Sequence, residues 1–174
     1  MTSPVVSVLV VSDTHLDAAL DRLPEAVWTL ADRADAILHA GDVTGPQLLD
    51  ALAEHATLHA VLGNNDLGLE GRLPEVVETE LGGVRIAMVH DSGPTAGRHG
   101  RLARRFPDAD VVVFGHSHRP LVEQVVDGPL LVNPGSPTQR RREPVHTVAW
   151  LELGGGSVRQ AEIVEVGPLA SVAT

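Results

Sequence analysis

The chain has 174 residues, 43% hydrophobic and 21% charged, a length and balance that suit one domain with a core of its own. Its formal charge of −10, from 23 acidic and 13 basic residues, argues against non-specific nucleic-acid binding, which draws its affinity from neutralised phosphates. No apolar run approaches the roughly 18 residues that cross a bilayer, and the absence of cysteine excludes thiolate metal sites.

Met1-Thr2-Ser3-Pro4 lacks the basic start of a secretory leader, so a cytoplasmic location is expected. Val5–Val11 is almost continuously apolar and β-branched, as in a parallel strand covered on both faces, and leads into Asp13-Thr14-His15. Pro24 suits the first position of a helix with Val27, Leu30, Ala31 and Ala34 on its apolar stripe. Ala36–Ala40 runs into Gly41-Asp42, and Thr44-Gly45-Pro46 opens a second helix with Leu48, Leu49 and Leu52 inward. Leu58–Leu62 ends at Gly63-Asn64-Asn65-Asp66, and Glu78–Leu81 pairs with Val84–Val89 across Gly82-Gly83, ending at His90. Arg98–Phe106 reads as a third helix buried through Leu102 and Phe106, and Val111–Phe114 leads into Gly115-His116-Ser117-His118.

Beyond His118 the pattern turns to hairpins. Leu121–Val126 and Leu130–Val132 flank Asp127-Gly128, a strong turn signal. His146–Leu153 and Val158–Val166 flank Gly154-Gly155-Gly156. Parallel and antiparallel strands together predict an α/β fold with two mixed sheets packed face to face and helices outside. Residues 1–166 are expected to form a single domain and 167–174 a flexible tail.

Five apolar runs thus end in potential metal ligands. If the strands are neighbours and parallel, those ends share one sheet edge, where open α/β sheets place ligands. Asp13 and His15 can turn to one cation, and Asp42 has two oxygens with which to bridge two. Asn64 supplies a neutral carbonyl oxygen, and His90, His116 and His118 supply imidazole nitrogens. This donor mixture suits Mn²⁺, Fe²⁺, Zn²⁺ or Co²⁺ and argues against Ca²⁺ and Cu(I). Seven ligands exceed one tetrahedral site and match two sites sharing Asp42. Two divalent ions, two carboxylates and a bridging hydroxide leave one net positive charge, which would attract an anionic substrate. Two metals about 3.5–4 Å apart are the usual clamp for in-line displacement at phosphorus by metal-bridging hydroxide, so phosphate-ester hydrolysis is the expected reaction class.

In order, Asp13-x-His15, Gly41-Asp42, Gly63-Asn64-x-Asp66, His90 and Gly115-His116-x-His118 resemble the motifs of the calcineurin-like metallophosphoesterases. The short length, His39-x-Gly41-Asp42 and Asn133-Pro134-Gly135-Ser136 resemble the small single-domain, YfcE-like branch. The resemblance spans Val5 to Arg140 and implies a four-layer αββα sandwich. It places one metal on Asp13, His15, Asp42 and His118, and the other on Asp42, Asn64, His90 and His116. It further implies a phosphodiesterase with two divalent cations, Mn²⁺ in vitro, with Zn²⁺, Fe²⁺, Co²⁺ or Ni²⁺ as alternatives, and a small phosphate-ester substrate, nucleotides among them.

Two positions depart from the pattern. Many relatives carry a histidine where Asn65 stands. Asn65 can hydrogen-bond a phosphoryl oxygen but cannot act as a general acid near neutral pH, so esters with acidic leaving groups are expected to be preferred. Asp91 replaces the glycine that usually follows the ligand histidine, and would add negative charge beside the cations.

Taken singly, Gly41-Asp42 and Gly63-Asn64 read as plain turns and His90 as a polar strand terminator; the series makes them ligands. Asp66 reads as a turn or supporting residue, and His39 either orients a ligand or sits as a satisfied core histidine. The arginines at Arg98, Arg101, Arg104 and Arg105, and at Arg140-Arg141-Arg142, read as solvated, with substrate steering as the alternative. The rival function is a catalytically weak scaffold or nucleotide sensor of the same fold, like the retromer subunit, whose metal site is degraded. All seven ligand positions are intact here, which separates this chain from that case, while Asn65 favours it. The natural substrate and the oligomeric state are not encoded in any recognisable motif.

Overall fold

A computed structural model describes residues 4–167; of the tail expected at 167–174, all but Gly167 lies outside the described residues. Among the described residues ten strands form two five-stranded mixed sheets. The first takes β1 (Val6–Val11), β2 (Ala36–His39), β3 (Thr57–Ala60), β9 (Thr147–Gly154) and β10 (Ser157–Glu165), in the order β10-β9-β1-β2-β3. The second takes β4 (Val76–Leu81), β5 (Val84–Val89), β6 (Val111–Val113), β7 (Leu121–Gln124) and β8 (Leu130–Asn133), in the order β4-β5-β6-β8-β7. β1, β2 and β3 run parallel, as do β5, β6 and β8; the three expected hairpins are antiparallel, and so is the long-range pair of β1 with β9.

Strand alternation builds the layers. Along β1, Val8 and Val10 point to the core between the sheets, while Leu9 and Val11 point to the helices. Along β5, Ile86 and Met88 face the other sheet and Ala87 and Val89 face outward to a third core. Where both faces are covered, over Val8–Val11 and Ile86–Val89, these strands are apolar at every position, which is why they read as continuous hydrophobic runs. Helices α1 (Glu25–Ala31) and α2 (Pro46–His55) cover the first sheet through Val27, Ala31, Leu48, Leu49 and Leu52. Helix α3 (Arg98–Arg105) covers the second through Leu102, with Phe106 just past its end. The result is the expected αββα sandwich.

Three details differ from expectation. The five ligand-bearing strands do not share one sheet edge: β1–β3 lie in one sheet and β5–β6 in the other, and the ends of the two sheets meet. Pro24 sits just before α1, with an extended ψ of 137°, rather than inside it. β3 stops at Ala60 because the chain leaves the ladder there, Leu62 N–H donating to Pro74 O at 2.8 Å. Among the described residues no helix is long and apolar enough to cross a membrane.

Candidate metal centre

The registers put the carboxyl ends of the parallel strands level with one another. Val11 pairs with His39 and His39 with Ala60 in one sheet, and Met88 pairs with Val113 in the other. The residues that follow therefore emerge at the same height and converge across the junction of the sheets. Asp13 N–H donates to Gly41 O at 2.9 Å and His15 N–H to Asp42 O at 3.1 Å, locking the first two loops side by side. Gly115 N–H donates to His90 O at 2.9 Å and joins the last two.

The seven side chains fall into two groups that meet at Asp42. In the first, His118 Nε2 lies 3.2 Å and His15 Nε2 4.0 Å from Asp13 Oδ1, and His15 Nε2 lies 3.5 Å from Asp42 Oδ2. In the second, His90 Nε2 lies 3.4 Å from Asp42 Oδ1 and 3.1 Å from Asn64 Oδ1, and His116 Nδ1 lies 2.9 Å from the same Asn64 oxygen. Asp13 Oδ1, His15 Nε2 and His118 Nε2 are buried and have no hydrogen-bond partner, although they lie within reach of one another. Three orphaned polar atoms aimed at a common point are the arrangement a cation would satisfy, since unpaired buried polar groups are otherwise costly. The donor set of imidazole, carboxylate and amide oxygen fits a divalent transition metal.

Electrostatics agree. Burial pushes the Asp42 carboxyl up, but the hydrogen bonds from His90 and Asn65 prevail and hold it well below the usual carboxylate range. Burial also raises Asp13, and His118 Nε2 facing its Oδ1 at 3.2 Å, together with the hydrogen bond from Ser12 Oγ at 2.6 Å, brings it below its ordinary value. Both carboxylates are therefore ionised at neutral pH. Burial lowers the pKa of His15, whereas His90 is raised because its bond to Asp42 and the charge of Asp13 outweigh burial.

The backbone is bent to make this possible. Asp13, His15, Asp42, His116 and His118 all have positive φ, between 45° and 66°, a region that non-glycine residues rarely enter and that clusters at functional sites. Gly41 has φ 93°, and a Cβ there would lie 2.7 Å from His90 Nδ1, so no larger residue fits.

The remaining expected residues stand around the seven. Asp66, 2% exposed, accepts N–H bonds from Asp42 at 3.0 Å, Gly63 at 2.7 Å and Thr44 at 2.7 Å, so both of its oxygens are engaged in clasping two loops. Fully buried His39 accepts from Gly41 N–H at Nδ1, 3.2 Å, which leaves Nε2–H to donate to Thr14 Oγ1 at 3.1 Å. Burial pushes its pKa down to about 4, so it is neutral and braces the loops carrying Asp13 and Asp42 without reaching the centre. Asn65 donates to Asp42 twice, from its backbone N–H at 2.8 Å and from Nδ2 at 2.6 Å. Asp91 is exposed and accepts from Gly93 N–H at 2.7 Å, capping its own loop. Arg101 donates to the carbonyls of Ser92, Pro94 and Ala96.

Sequence reasoning missed the braces. Ser136 Oγ donates to Asp13 O at 2.8 Å, Thr138 Oγ1 to Thr14 O at 2.6 Å and Asn133 Nδ2 to Gly115 O at 3.0 Å. His118 Nδ1 is held by Gln139 O and His90 Nδ1 by Ala40 O, which turns each Nε2 inward. The Asn133-Pro134-Gly135-Ser136 turn signalled this loop, but nothing in it announced which backbone its hydroxyls would reach.

A model of the calcineurin-like phosphoesterase superfamily domain matches residues 6–156. The chain belongs to that superfamily. It is similar to a probable metallophosphoesterase of Methanothermobacter thermautotrophicus, 34% identical over 161 residues and 91% of each chain. It also resembles a probable metallophosphoesterase of Methanocaldococcus jannaschii, 37% identical over 76% of this chain and 68% of that one. Among solved structures it resembles Entamoeba histolytica Vps29 complexed with Zn²⁺, at 25% identity and a TM-score of 0.69, covering 92% of this chain and 99% of that one. As a calcineurin-like phosphoesterase of the small YfcE-like branch, the chain is a metal-dependent phosphoric-ester hydrolase.

Proposed function

We propose that the chain is a dinuclear phosphodiesterase that hydrolyses small phosphate esters in the cytoplasm, with residues 1–166 acting as one domain. The observation that carries this reading is the division of Asp42: Oδ2 faces the group of Asp13, His15 and His118, and Oδ1 faces that of Asn64, His90 and His116. Mn²⁺ is the cation proposed in vitro; zinc, bound by the similar Vps29, is the first alternative. When bound, a pair of divalent cations held by these residues would stabilise the attacking and leaving oxygens and lower the pKa of an attacking water towards about 7.

The chain's own residues supply the geometry. Asp13 and Asp42, ionised through their hydrogen bonds, hold negative charge where the cations belong. His39 and Asp66 keep the loops of Asp13, Asp42 and Asn64 in register. Asn65, hydrogen-bonded to Asp42, would orient a phosphoryl oxygen but cannot act as a general acid towards a leaving group near neutral pH. The same residue favours a second reading, in which the chain binds metal and nucleotide or protein partners with little turnover.

Hydrolysis of bis(p-nitrophenyl) phosphate separates the two readings. Chelator-stripped protein should regain activity when Mn²⁺ is added back, and Asp42→Asn should not. A folded, metal-loaded chain that shows no turnover with Mn²⁺, Zn²⁺, Co²⁺ or Ni²⁺ would refute the esterase reading and leave the scaffold or sensor.

A further inference from the structure

Ser117, between His116 and His118, forms one wall of a pocket of about 410 Å³ whose other walls are Arg119, Arg140, Arg141, Arg142 and Glu143. Four guanidiniums share that pocket with one carboxylate, in a chain whose formal charge is −10. Such a concentration of positive charge in an acidic protein invites an anionic ligand.

The pocket is tied to the metal centre by several bonds. Asn133 Nδ2 donates to Ser117 Oγ at 3.2 Å as well as to Gly115 O. Gln139 O, immediately before the arginines, holds His118 Nδ1. Arg141, at φ 54°, donates through Nη1 to His116 O at 3.3 Å. Of the remaining cations, none has a close carboxylate partner. Arg119 Nε lies 3.6 Å from Glu143 Oε1, Arg140 donates to the Glu143 carbonyl at 2.6 Å, and among the described residues Arg142 has no ion pair. Arginine's planar fork matches phosphate oxygens in pairs, which makes phosphate the anion these groups fit best.

We propose that this arginine pocket holds a second phosphoryl group of the substrate. The substrate class is then a small molecule carrying a terminal phosphate monoester close to the diester that is hydrolysed. The inference rests on the esterase reading above and deepens it. The pocket is open to solvent, so screening reduces its hold on a single free phosphate, while an anion with two phosphoryl groups still binds measurably; a phosphate tethered to a diester at the cations gains further from its high effective concentration.

Two esters test it: thymidine 5′-(p-nitrophenyl phosphate) and the same compound with a 3′-phosphate. The Mn²⁺-loaded chain should show a KM about 10–100-fold lower for the bisphosphate. The ratio of the two KM values is the readout, so any general loss of activity in a variant cancels. Arg140→Gln/Arg142→Gln should bring the ratio close to one, and Arg140→Lys/Arg142→Lys, which keeps charge but loses the fork, should fall between. Equal KM values in the parent chain, or a gap that survives in the Gln pair, would overturn the proposal. If neither ester is hydrolysed, the esterase reading fails, and calorimetric titration of the metal-free chain with inorganic pyrophosphate decides the pocket alone. Binding weakened at least tenfold in the Gln pair supports an anion site, and no binding to the parent overturns it.

Discussion

Asp66→Asn is the substitution with the clearest expected outcome, because it changes one atom in a fully counted set of hydrogen bonds. The native carboxylate accepts three backbone N–H groups, from Asp42 and Gly63 at Oδ2 and from Thr44 at Oδ1, at 2.7–3.0 Å and 2% exposure. An amide has one acceptor oxygen. Its better orientation keeps Asp42 and Gly63 on that oxygen and turns NH₂ towards the Thr44 N–H, two donors facing each other. The unpaired donor costs about 1–3 kcal/mol, and the two surviving bonds lose their charge assistance, about 0.5–1.5 kcal/mol each. A loss of about 2–6 kcal/mol is therefore expected in urea unfolding of the metal-free protein, as a lower midpoint with an unchanged slope. Measuring without metal isolates the brace from any part Asp66 takes in ligation. A loss below 1 kcal/mol would show that the three N–H groups find other partners and that Asp66 does not clasp the two loops together.

Other outcomes follow from the centre and its supports. His39 has a folded pKa of about 4 against about 6.5 when exposed, so only the unfolded chain gains a proton between those values. Its contribution to stability is intact above pH 6.5 and is lost as pH falls towards 4, about 2 kcal/mol by pH 5; a His39→Gln variant whose stability fell equally over that range would contradict this. Saturating Mn²⁺ at about 100 times its Kd should add about 2.7 kcal/mol and raise Tm by roughly 5–10 °C, an increase that Asp42→Asn should abolish in a thermal scan. With Asn65 unable to protonate a leaving group, ethyl phosphate esters should turn over about 10²–10⁴-fold more slowly than their nitrophenyl counterparts. Equal rates would mean that another acid serves the site.

Much of this was legible in the chain because chemistry-bearing residues sit where apolar periodicity breaks. Doubly covered strands must be apolar throughout, so each abrupt change to Asp, Asn or His marks a strand end and a ligand candidate at once. The partition of those strands between two sheets was not legible, since Val8 pairs with Ala36 while Met88 pairs with Val113 for reasons of long-range packing that no local pattern records. Nor were the clasps formed by Asp66, Ser136 and Thr138. Their partners are backbone groups, which look alike at every position, and Ser136 reaches across 123 residues to the Asp13 carbonyl. The arginines at 140–142 showed charge but not place, because only the turn after Asn133 brings them against Ser117.

Five of the seven candidate ligands sit on left-handed backbone that costs a non-glycine residue about 1–2 kcal/mol each, so the centre holds roughly 5–10 kcal/mol of conformational penalty. That sum rivals the whole net stability of a typical protein. Glycine at any of these positions would relieve it and remove a ligand in the same stroke. A laboratory selection for heat resistance alone would thus drift towards sturdier, chemically silent descendants, and only a parallel selection for turnover would keep the aspartates and histidines in place.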